Sequence, residues 1–135
     1  MVSVTNSQSP PQTIDAPYTI FVGSVAITSG NPPKGYVNVG YGDCNPGCTG
    51  GGSPLVGSGG VPPYSFRWGG APGSSTPPGL GIGGRGSAPF CLSPTPDSEI
   101  CGEPKTAGVY YVVVSISDSA SPPNQGVATY RIFIQ

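Results

Sequence analysis

The sequence predicts an all-β chain, an antiparallel β-sandwich with long loops and an extra β-hairpin at its head. Three observations carry this. No segment repeats its apolar residues at a helical period, whereas several alternate apolar and polar residues, the mark of half-buried strands. The 23 Gly and 18 Pro fall between those apolar runs and read as turns. Many short strands with frequent turn signals imply two packed antiparallel sheets.

The clearest strand is VYYVVVSISD, Val109 to Asp118. Tyr110, Val112, Val114 and Ile116 share one face and read as core; Tyr111, Val113, Ser115 and Ser117 share a partly covered outer face. SASPPNQG (Ser119 to Gly126) turns the chain, and VATYRIFIQ follows with Tyr130, Ile132 and Ile134 on its core face. Together they predict a terminal antiparallel hairpin. Upstream, PPYSFRW sets Tyr64, Phe66 and Trp68 on the core face against Ser65 and Arg67, with Pro62-Pro63 at the strand entry, where no ladder donor is lost. YTIFVGSVAIT (Tyr18 to Thr28) and GYVNVGY (Gly35 to Tyr41) read as further strands. Residues 42–60, 69–79 and 81–99 read as loops.

The head repeats the tail. Residues 2–22, VSVTNSQSPPQTIDAPYTIFV, align without a gap on residues 114–134, VSISDSASPPNQGVATYRIFI, and 10 of the 21 positions are identical. Chance gives about one or two on ordinary residue usage. The offset is 112 residues, from Val2 to Val114. Residues 1–23 therefore read as a hairpin duplicating the C-terminal one, and 24–135 as the main domain. Val2, Val4, Tyr18, Ile20 and Val22 form its apolar assembly face. A two-stranded hairpin alone is marginal in water, so this face wants cover. Three readings stay open: a module boundary within a longer array, a strand donor to a neighbouring molecule, and extra strands folded back on the same domain.

Charge is scarce, with five basic and six acidic residues, and no basic patch supports nucleic-acid binding. No apolar run is long enough for a membrane span. No signal peptide opens the chain, so secretion implies one removed or omitted. The four cysteines sit at Cys44, Cys48, Cys91 and Cys101, and with no His in the chain they predict disulfides in an oxidising compartment rather than zinc. Proximity favours the pairs 44–48 and 91–101; a cross-link between the two loops is the rival.

Catalytic chemistry finds no footing. Without His, the serines lack a base. The acids form no close pair except Asp97 and Glu99, read as a solvated loop. Asp118 is too isolated for a hard-cation site and instead reads as a cap on its own turn. No metal, cofactor or catalytic residue is expected.

Several pieces, in order, resemble a known family: GNPPKGYVNVGY, GGVPPYSF, PPGLGI, CGEPKTAGVYYVVVSISDS and TYRIFI. They resemble the Ig domain family of bacterial surface proteins, a cadherin- and dystroglycan-like sandwich, over about residues 24 to 134. Asn31 replaces the family's first Leu, and Pro77-Pro78 its second Leu-Pro. Two Cys-bearing insertions, around 42–58 and 84–99, depart from it. The resemblance implies an Ig-like fold and modules in tandem, so the head looks like the last hairpin of a preceding module. The expected function is a non-enzymatic extracellular or cell-surface building block of a fibre or tandem-Ig adhesin, whose partners are copies of itself or neighbouring Ig-like modules. The alternative is an adhesion module gripping a glycan or a cell-surface protein through the Cys-bearing loops.

Overall fold

The computed structural model describes residues 24–42, 53–84, 90–91 and 98–135, and the backbone pairing of 2–5 and 13–16. Among these residues every regular element is a strand. The head carries β1 (Val2–Thr5) and β2 (Thr13–Ala16), paired with each other as a sheet of their own. The strands that follow are β3 (Ala26–Ile27), β4 (Ser53–Pro54), β5 (Gly57–Ser58) and β6 (Ser65–Gly70). The last four are β7 (Leu80–Gly83), β8 (Glu99–Gly102), β9 (Gly108–Ser117) and β10 (Gln125–Ile134). They form two three-stranded sheets, ordered β10-β9-β6 and β4-β8-β7, and a short β3-β5 pair. All strand pairs are antiparallel.

β9 and β10 are long because Val, Tyr and Ile dominate them, residues that fit a pleated, half-buried surface. Their alternation sets the register. Tyr110 faces Ile132, Val112 faces Tyr130 and Val114 faces Ala128, so the apolar set lies on one face. Phe66, Tyr110, Val112, Val114, Ile116, Tyr130, Ile132 and Ile134 are buried there in one cluster with Ile100 of β8 and with Val25, Tyr41 and Leu55. Tyr64 and Trp68 pack against that cluster but are only half-buried, as are Leu80 and Ile82.

Three segments depart from the sequence reading. GYVNVGY forms no strand: Asn38 adopts the left-handed conformation at φ 57°, which breaks an extended run. It makes only isolated bridges, Gly35 with Ile134 and Tyr41 with Gly102. The expected loops at 42–60 and 81–99 hold β4, β5, most of β7 and the start of β8. Glu99 is the sharpest correction. It lies not in a solvated loop but in the central strand of its sheet, only 1 % exposed. Within β8, Ile100 points into the core, so Glu99 and Cys101 share the opposite face. Cys91 is bonded to Cys101 on that face, and Phe90 O, Cys101 Cβ and Glu99 Oε1 crowd around Gly42 beside it.

Asp97, Tyr18, Ile20, Val22, Cys44 and Cys48 lie outside the described residues, as do the side chains of Val2 and Val4.

Candidate functional site

The head hairpin reproduces the register of the tail hairpin. In the tail, Ala128 pairs with Val114, Val127 with Ser115, Gly126 with Ile116 and Gln125 with Ser117. In the head, Ala16 pairs with Val2, Asp15 with Ser3, Ile14 with Val4 and Thr13 with Thr5. Each head pair is the tail pair shifted by the 112-residue offset. The repetition therefore extends from sequence to strand pairing, including pairs whose residues differ, such as Ile14 against Gly126.

The two free edges of the β10-β9-β6 sheet differ. The β10 edge is closed at its C-terminal half. Gly35 N donates to Phe133 O at 2.9 Å, Gln135 N to Gly35 O at 2.9 Å and Val37 N to Gln135 O at 2.7 Å. Asn31 Oδ1 accepts from Arg131 N at 3.2 Å. The β6 edge is open. Ala71 N donates to Tyr111 O at 2.9 Å, which fixes the alternation. Ser65, Arg67 and Gly69 turn their backbone groups to β9, while Phe66, Trp68 and Gly70 turn theirs away. The following loop returns over Gly70, where a Cβ would strike Ser74 O. Among the described residues, nothing bonds to the outward backbone groups of Phe66 and Trp68.

Asp118 ties the loops at one end of this sheet. Its Oδ1 accepts from Ala120 N at 3.1 Å and Asn124 N at 2.7 Å. Its Oδ2 accepts from Asn124 Nδ2 at 2.8 Å and Val61 N at 2.9 Å. The Asn124 side-chain amide, followed by the backbone donors, holds the carboxyl down to about 2. Four donors occupy both oxygens, so this carboxylate serves as a loop cap and has no lone pair left to offer a cation. Gly60 makes the cap fit: at φ 60° it lies so close that a Cβ would strike Oδ2. Sequence reasoning identified the cap on its own turn but missed Val61, because the partner lies 57 residues away.

The outer face of the same sheet carries a shallow cavity of about 310 Å³, lined by Ser65, Arg67, Ser115, Ile116, Ser117 and Gln125. It is polar, and among the described residues the Arg67 guanidinium has no acidic partner; the ion pair there joins Lys105 to Glu103. No group of three or more Cys, Asp or Glu among the described residues is placed to hold a metal ion. No described helix is long and apolar enough to cross a membrane, and the Cys91–Cys101 disulfide fits a non-reducing compartment.

No family model and no curated protein matches the chain. The functional reading therefore rests on the repeated hairpin, the open β6 edge and the capped loops.

Proposed function

We propose that this chain is a non-enzymatic, extracellular structural module with an Ig-like β-sandwich fold. It is a building block of a surface fibre or tandem-Ig adhesin, and it associates with its own copies or like modules through β-strand contacts. The observation that carries this is the head hairpin, which repeats the tail hairpin in sequence and in register. A spare copy of a sheet-forming element has an immediate use in joining modules, and little use inside one. A single cluster fed by both three-stranded sheets supports the sandwich. The capped Asp118 corner and the Cys91–Cys101 bond fit a stiff unit for an oxidising exterior.

Negative-stain electron microscopy and light scattering of the non-reduced chain test the reading, beside a variant lacking residues 1–22. Filaments or defined oligomers that vanish on deletion are the expected result. Monomers for both at every concentration would remove the assembly role.

A second reading, adhesion to a glycan or a cell-surface protein, is favoured by the polar cavity around Arg67. It expects glycan-array binding that falls in Arg67→Ala, and a blank array for the parent chain counts against it.

A further inference from the structure

We propose that the open edge of β6 is the docking site for the β1–β2 hairpin of a second copy of this chain, added as antiparallel strands. The proposal rests on the assembly reading above and names its donor, its acceptor and the atoms between them.

The acceptor is defined by two independent features. Among the described residues, Phe66 and Trp68 each direct an unpaired N–H and C=O outward, and the loop at Ser74 closes the edge beyond them. That leaves room for a short strand, and β1 and β2 have four residues each. Beside this edge the apolar cover is incomplete. Trp68 on β6 and Leu80 and Ile82 on β7 pack on the core yet stay half-exposed. A strand added here pairs the free backbone groups and covers that apolar flank together. The opposite edge is covered by the 31–37 segment over the last residues of β10.

The donor is identified by the repeat itself. Val2–Thr5 are the counterparts of Val114–Ser117 at the 112-residue offset. Within the domain those four residues already pair with β6: Val114 opposite Trp68, Ser115 opposite Arg67, Ile116 opposite Phe66 and Ser117 opposite Ser65. In the tail, Ser115 and Ser117 turn their backbone groups to β6 while Val114 and Ile116 turn theirs to β10, so by the repeat Ser3 and Thr5 are the β1 positions left to pair with Phe66 and Trp68. Among the described residues of its own chain, the β1–β2 pair joins no other strand. Addition rather than exchange follows from the extent of the match. The 21 matched residues include no counterpart of Tyr110 or Val112, both buried in the core. A donor that displaced β9 would leave those core positions empty, whereas one that adds beside β6 disturbs nothing. Because the head of one copy meets the body of the next, the contact is heterologous, and it builds a filament unless its rotation closes a ring.

Amide hydrogen exchange of the full-length chain, read residue by residue by NMR at about 20 µM and about 1 mM, tests this in the range where a small interface forms. The Phe66 and Trp68 amides are expected to exchange at least roughly tenfold more slowly at the higher concentration, while the β9-paired amide of Arg67 stays unchanged. In Ser3→Pro/Thr5→Pro, which removes the two outward β1 amides and leaves the domain core untouched, that gain disappears. Sedimentation velocity on the same samples separates the two levels of the argument. Association without protection at Phe66 and Trp68 overturns the β6 site and leaves the assembly reading standing. No association at either concentration overturns both.

Discussion

Reducing the Cys91–Cys101 bond removes a constraint whose size follows from the fold. The bond closes a loop between residues 10 apart in sequence, with the Cα atoms 5.3 Å apart. Loop-closure entropy for about 11 residues corresponds to about 2.8 kcal/mol at 25 °C. For a chain of this size that is a fall in Tm of about 10 °C. The assay is urea unfolding and calorimetry of a Cys44→Ala/Cys48→Ala chain, with and without reductant, so that one bond alone responds. The urea m-value should also rise, because the freed unfolded chain exposes more surface. Cys91→Ala/Cys101→Ala should lose more than reduction does. Both sulfurs are buried, at 2 % and 0 % exposure, and each removed sulfur costs about 1 kcal/mol of packing. A reduction loss below about 1 kcal/mol would refute the reasoning, since the loop would then be held by its native contacts and not by the bond.

Asp118 makes a pH prediction. Its carboxyl sits at about 2 in the folded chain, below the ordinary value near 4, so the stability it supplies is full above about pH 4. It is lost as pH falls toward 2, and Asp118→Asn should flatten that part of a Tm-against-pH curve. Gly60→Ala places a methyl group against Asp118 at a left-handed φ, and should lower stability by about 1–3 kcal/mol in urea titration. Tyr41 is buried and donates to Pro33 O at 2.7 Å, so Tyr41→Phe should cost about 1 kcal/mol. Burial also pushes the Tyr41 hydroxyl up, so in an alkaline absorbance titration one tyrosine should stay protonated until the chain unfolds. Ile132→Ala, at a fully buried position facing Tyr110, should cost about 2–5 kcal/mol by calorimetry.

What the sequence by itself determined was whatever depends on near neighbours along the chain. Alternation in 109–118 and 127–134 assigned the buried faces of β9 and β10, because side-chain direction in a strand has a period of two. The repeat between 2–22 and 114–134 was legible as well, and with it the hairpin pairing of the head. Proximity picked the 91–101 bond from its rivals for the same reason. Tertiary structure decided what depends on distant partners. The burial of Glu99 could not be read from a polar residue in a Gly/Pro-rich stretch, because it follows from β8 lying between β4 and β7 with the disulfide over its outer face. The fourth donor to Asp118 comes from Val61, across the sheet end. Which edge of β6 stays open was also beyond sequence, since both edges of a strand carry the same residues. Only its pairing with β9 on one side, and the lack of any described strand on the other, tells them apart.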